Sequence, residues 1–276
     1  MRHRVLLLAA TAVLWCAQGP TKLKPGFNLF SKEQDVRLGR EAAAEIARQV
    51  HVIQHRELDG YLDGLGRRLA AQPQAGGFPY SFLLVHDKTV NAFALPGGPT
   101  FVHTALVLSA DNEAELTGVM AHEIAHVALR HGTNQASKAN LIALPALLAA
   151  AAVGGDSLLG QLTQIGIGVG ANSVLLRYSR NAERDADLLG AQIMAGAGYD
   201  PVAMARFFQK LEGEGKRGGW QFFSDHPKPG NRVKAVEREI GNLPRRAYDA
   251  DTRQFPQMKN LVRQLGDPPP PKPARK

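Results

Sequence analysis

Cysteine is almost absent from this chain: Cys16 is the only one in 276 residues. A mature chain cut beyond it has none, so intrachain disulfides are excluded even in an oxidising compartment. A zinc site built on thiolates is excluded as well, and any metal must be held by His, Asp or Glu. The chain also lacks a set of long apolar spans and any aromatic-interleaved basic motif. Its net charge of +8 comes from scattered Lys and Arg, which read as a solvated basic surface, so nucleic acid is not an expected partner. There is no internal repeat and no long low-complexity block. What is present is a globular composition, 44% hydrophobic and 21% charged, long enough for one large domain with a real core or for two small ones.

The first residues read as a targeting segment. Arg2, His3 and Arg4 precede an apolar run of eleven, Val5 to Trp15, which is too short to span a bilayer comfortably and suits a signal-peptide core. Ala17-Gln18-Gly19 has the small-x-small pattern of a cleavage site, although Pro20 disfavours cutting there. Cys16 is the alternative, a lipidation cysteine, with Trp15 standing where such signals usually carry a small residue. Residues 1–19 are therefore expected to direct export, and the mature chain to be periplasmic, with or without a lipid on Cys16.

Beyond an irregular lead-in, Ser31 and Gln34 have capping-box spacing and open a helix to about Val52; a second follows from Arg56 to Ala71. The period then changes. Residues 80–86, 91–95 and 100–104 are short, aromatic and β-branched, with Pro96-Gly97-Gly98-Pro99 between the last two, and predict a meander of three strands. After a short helix, Asp111 is the expected N-cap of the next one, with Glu113 and Glu115 in its first turn and Gly132 as its stop. Residues 141–176 are strongly apolar but broken by Pro145 and Gly154-Gly155, and predict a helical hairpin. It is either buried core or an exposed surface touching membrane or substrate. Helices follow at 179–198, from Pro201, and from about Gly230 to Ile240. The tail from Asp267 is Pro-rich, basic and expected to be disordered.

The chemistry concentrates in Val119 to Gly132, "VMAHEIAHVALRHG", which contains His122-Glu123-Ile124-Ala125-His126. On a helix, residues four apart differ by about 40° in azimuth, so both imidazoles leave one face and can share an ion. Glu123 is offset by about 100° from His122. It can act on a water at the metal without being a ligand, the arrangement of a zinc hydrolase. A third ligand is needed. If the helix continues, His131 lies about 140° around and about 7.5 Å along from His126, too far to converge, and helix-end capping is its expected role. Glu183 and Asp187 are four apart in "SRNAERDADLLG". One can ligate while the other takes the free N–H of a liganding histidine, or both are solvated charges; spacing does not say which acid binds.

HEIAH, with Glu183-Arg184-Asp185-Ala186-Asp187 beginning 57 residues after His126 and Tyr178-Ser179-Arg180 before it, resembles the BepA-like and HtpX-like zinc metallopeptidases. These are gluzincins related to the CAAX prenyl proteases. "NAFALPGG" (91–98), "HVALRHG" (126–132) and "HPKPGNR" (226–232) extend the resemblance over roughly residues 30–240. The resemblance implies an α+β fold, a mostly helical zincin-like domain with a small three-stranded sheet beside the active-site helix. It implies one Zn2+ held by His122, His126 and Glu183, with Glu123 as general base and Asp187 supporting a ligand. Asn91, Ala92, Phe93 and Ala94 would be a substrate-binding edge strand. His226 and Arg232 would lie near the site, His226 either stabilising the oxyanion or filling zinc's open position in a latent state.

The expected layout is a signal (1–19), a peptidase domain (20–245) and a C-terminal extension (246–276). The missing membrane spans set the chain apart from the prenyl proteases, and no room is expected for the helical-repeat domain of BepA-like proteins. The expected function is a zinc endopeptidase of the bacterial envelope acting on misfolded or unassembled polypeptides, with a peripheral membrane contact through the apolar hairpin as an open role. The alternative is a chaperone-like peptide-binding protein whose zinc is structural or latent.

Overall fold

In the computed structural model, residues 19–138, 178–214, 226, 232–244, 246–248, 250–270 and 272 are described. The export segment through residue 18, with Cys16, and the apolar hairpin 141–176 lie outside them.

Helix α1, Lys32–Gln49, starts on the capping box: Ser31 Oγ accepts from Gln34 N, and the Gln34 side chain accepts from Ser31 N. It stops at Val50 because the next residues turn extended and pair with a strand. Ile53 N donates to Leu84 O and His86 N to His51 O, both at 2.8 Å. Helix α2, Arg56–Ala70, buries Leu58, Leu62, Leu65 and Leu69 on one face at helical spacing.

Strands β1 (Ser81–Val85), β2 (Ala92–Ala94) and β3 (Pro99–His103) form one sheet in the order β1-β3-β2. The expected meander is corrected: β1 runs parallel to β3, and only β2–β3 is an antiparallel hairpin. That hairpin closes on Gly97 and Gly98, whose φ values of 77° and 123° are open to glycine alone at little cost. Period-two alternation marks strands without marking their neighbours. Here residues 51–53 cover one edge of β1, β3 takes the other, and β2 is left at the far side against the helices.

Helix α3, Thr104–Ser109, leads to α4, Glu113–Ala128. The cap of α4 is Asn112, not Asp111: Asn112 Oδ1 accepts from Glu115 N at 3.0 Å, and Glu115 Oε2 accepts from Asp111 N at 2.8 Å. Asp111 instead pairs with Lys210. Helix α4 is buried on nearly every side, as the central helix of a core must be. It ends four residues before Gly132. Leu129 is the C-cap, Arg130 takes φ 56°, and helical conformation resumes over residues 131–138.

Helix α5, Arg180–Gly196, is capped by Ser179, whose side chain accepts from Ala182 N. It is followed by α6 (Val202–Glu214), α7 (Arg232–Asn242) and α8 (Phe255–Gln264), the last of which the sequence reading does not anticipate. Phe255, Met258 and Val262 of α8 join the same core cluster as Leu116, Met120 and Ile124 of α4. Two glycines let neighbours close on α4. A Cβ at Gly118 would stand 2.8 Å from Met204 Cα of α6, and one at Gly190 would stand 3.2 Å from His122 N. Of the tail from Asp267, expected to be disordered, residues 267–270 and 272 are described: Pro268 to Pro270 line a groove with His51 and His86, and His51 Nε2 meets Pro270 O at 2.9 Å. Among the described residues, no helix is long and apolar enough to cross a membrane.

Candidate metal centre

Helix α4 presents His122 and His126 four residues apart, α5 crosses it at Gly190, and the crossing carries Glu183 onto the same spot. His122 Nε2 and His126 Nε2 are 3.0 Å apart, and each is 3.4 Å from a carboxylate oxygen of Glu183. His226 adds a fourth donor: its Nδ1 is 3.1 Å from Glu183 Oε1 and 3.4 Å from His122 Nε2. The four donor atoms all lie within 4.8 Å of one another and every residue is buried. Donors bound tetrahedrally to one zinc ion stand about 3.3 Å apart. The separations given above, 3.0 to 3.4 Å, lie close to that value, and the three-imidazole, one-carboxylate donor set suits Zn2+.

The two acids of α5 divide as spacing alone could not say. Glu183 faces the imidazole Nε2 atoms, whereas Asp187 Oδ1 is 3.0 Å from His122 Nδ1. Arg232 clamps Asp187 through Nε and Nη2, each at 2.7 Å, and lies over the Phe208 ring at 4.1 Å. Glu123 lies beside the cluster. Its Oε2 accepts from Ala94 N at 3.1 Å, and its Oε1 is 3.4 Å from His226 Nε2. Burial tends to push His122 down, but hydrogen bonds to Asp187 and Glu183 hold it at about 9. Burial holds His126 well below the usual histidine value and raises the Glu123 carboxyl, the latter opposed by charge on His226 and His122.

Asn91, Ala92, Phe93 and Ala94 form the sheet edge next to α4. Asn91 O accepts from His103 N and Leu95 N donates to Pro99 O, so odd-numbered residues face β3. Alternation turns the main chain of Ala92 and Ala94 to the other edge, where Ala94 N meets Glu123.

The residues matched by the model of Peptidase family M48 run from 56 to 240, two thirds of the chain, and include every one of these side chains. The chain belongs to peptidase family M48. Among M48 relatives, a putative beta-barrel assembly-enhancing protease of Vibrio cholerae is 35% identical over 192 residues, covering 66% of this chain and 39% of that protein. The beta-barrel assembly-enhancing protease of Yersinia pestis is 30% identical over 223 residues, 78% of this chain and 45% of its own length. The mitochondrial metalloendopeptidase OMA1 of Schizosaccharomyces pombe is 28% identical over 223 residues, 79% of this chain and 64% of that protein. The chain thus spans less than half the length of these bacterial M48 relatives.

Three features of this M48 site escape sequence reading. Helix α4 does not run straight into His131; the turn at Arg130 brings His131 Nδ1 within 2.9 Å of His126 Nδ1, so His131 contacts a metal-facing histidine instead of capping a helix end. Burial pushes His131 down to about 4. Tyr178 stacks on the His126 ring at 3.9 Å. The Ala94–Glu123 hydrogen bond joins the sheet to the helix through a main-chain atom, which no side-chain motif can announce.

Proposed function

We propose that the chain is a zinc endopeptidase that cuts unfolded or unassembled polypeptides in the bacterial envelope, with His122, His126 and Glu183 holding the ion and Glu123 as the base. The observation that carries this is Glu123 itself: a buried carboxylate beside the donor cluster, oriented by the edge strand through Ala94 N. When bound, zinc polarises a peptide carbonyl and acidifies water. Glu123 accepts the water's proton and passes it to the departing amine. A substrate segment adds to the outer edge of β2 through main-chain hydrogen bonds, which gives hold without much choice of side chain. Asp187, clamped by Arg232, fixes the ring of His122. The envelope location and the class of substrate are supported by the export-type segment and by the names of the two bacterial relatives.

His226 occupies the fourth corner of the donor set in our reading, a closed and latent arrangement. All four donor residues are at most 1% exposed, so a peptide reaches the centre only after a covering group leaves. His226 is the one donor residue that no helix carries. The same closure favours a second reading, a peptide-holding protein whose zinc stays shielded. Zinc content and casein cleavage, measured on the parent and on Glu123→Gln, separate the two. The endopeptidase reading requires a zinc-loaded parent that cuts and an equally loaded variant that does not; a zinc-loaded parent that binds casein and never cuts it favours the second.

A further inference from the structure

The two histidines of α4 are braced by different chemistry. His122 turns its Nδ1 to the Asp187 carboxylate. His126 turns its Nδ1 to another imidazole, His131 Nδ1, at 2.9 Å. Two ring nitrogens at that distance share one N–H. His126 Nε2 faces His122 Nε2 and Glu183, so its lone pair is wanted there and the ring proton belongs on Nδ1. His126 is then the donor and His131 Nδ1 the acceptor, which leaves the His131 proton on Nε2.

We propose that His131 is a positioning residue for His126, fixing its tautomer and ring direction, and that the Asp35–Arg130 pair sets His131 in place; this rests on the metal reading above. On an unbroken helix His131 would point about 140° away from His126. The break is made at Arg130, a non-glycine residue in the left-handed region at φ 56°. Its guanidinium is anchored outside the helix, Nε donating to Asp35 Oδ2 at 2.6 Å and Nη2 to Phe30 O at 2.5 Å. The chain re-enters helical conformation at residue 131, with the His131 ring edge-on to His126 at 73° and Tyr178 stacked on the His126 ring. Sequence outside the HExxH signature and the distant acids thus decides how one metal-facing imidazole is held.

The test is zinc affinity, by competition with a chromophoric chelator, for the parent, His131→Phe and His131→Asn. Phenylalanine keeps a ring but removes the acceptor, and zinc binding is expected to weaken about 10–100-fold. Asparagine can place Oδ1 where Nδ1 stood and is expected to restore most of the affinity. Parent-like affinity in a folded His131→Phe, or an Asn variant as weak as the Phe one, overturns the positioning role while the metal reading stands. A parent that takes up no zinc overturns both. Should His131→Phe not fold, long-range 15N–1H correlation on the zinc-loaded parent decides: the expected signature is Nδ1–H on His126 and Nε2–H on His131, and Nδ1–H on His131 contradicts the proposal.

Discussion

Arg232 holds Asp187 with two parallel hydrogen bonds of 2.7 Å, Nε to Oδ2 and Nη2 to Oδ1, while Asp187 Oδ1 also faces His122 Nδ1 at 3.0 Å. The pair is buried, so its partners depend on each other. Arg232→Leu removes the ion-pair partner of the buried Asp187 carboxylate and is expected to destabilise the fold by about 3–5 kcal/mol. Urea unfolding at neutral pH measures this. Arg232→Lys keeps a charge but loses the planar fork and should fall between the parent and the Leu variant; a Leu variant as stable as the parent would show that the clamp does not matter.

The Ala94 N–H donates to Glu123 Oε2 and can be removed without touching any donor of the metal cluster. Ala94→Pro deletes that donor. A hydrogen bond to a charged group contributes about 1.5–3 kcal/mol, so a drop of about 10–100-fold in kcat/KM is expected. Zinc stoichiometry, measured by atomic emission on the same preparation, should stay at the parent's value.

His226 separates two roles by the sign of one effect. As a donor filling the fourth corner it restrains the enzyme, and His226→Ala should raise casein cleavage while zinc remains on His122, His126 and Glu183. As an oxyanion stabiliser its removal would instead lower kcat by about 10²–10³-fold. The 3.1 Å and 3.4 Å separations of its Nδ1 from Glu183 and His122 favour the rise.

A hub far from the metal predicts alkaline behaviour. Buried Glu113 accepts from Tyr61 Oη at 2.9 Å, Tyr199 Oη at 2.8 Å, Thr252 N at 3.1 Å and the Thr252 hydroxyl, tying α2, the loop after α5 and the approach to α8 to the start of α4. Burial and then the Glu113 charge push the Tyr61 phenol upward; burial and then its hydrogen bond to Glu113 do the same for Tyr199. Groups whose folded pKa is raised lend stability below the unfolded value, about 10 for tyrosine, and that stability is lost as pH climbs beyond it. Thermal midpoints should therefore fall above about pH 10, and Tyr61→Phe should show a shallower fall from a lower starting point.

Local chemistry made much of this molecule legible. Ser31 and Gln34 announced their capping box, the glycines at 97 and 98 their turn, and the four-residue spacings of His122–His126 and Glu183–Asp187 the faces that converge. What was not legible depends on distant partners. β1 and β3 pair in parallel, with residues 51–53 on the other edge of β1 and β2 on the far side of β3, and alternation within a strand carries no record of that. Helix α8 was missed although Phe255, Met258, Leu261 and Val262 recur at helical spacing; that face is buried against α2 and α3, far earlier in the chain. Gly132 looked like the stop of α4, yet the stop is Arg130, whose left-handed backbone is held by Asp35, 95 residues earlier in the chain.

The central claim is that Glu123 moves the proton at a zinc centre built by α4 and α5. Its most direct test is cleavage of an unfolded polypeptide by the parent and by Glu123→Gln at equal, measured zinc load. Glutamine keeps the size and the Ala94 hydrogen-bond acceptor but cannot accept the proton. The expected result is one zinc per chain in both proteins and a loss of at least about 10²-fold in kcat for the variant. Equal rates from two equally loaded proteins would contradict it.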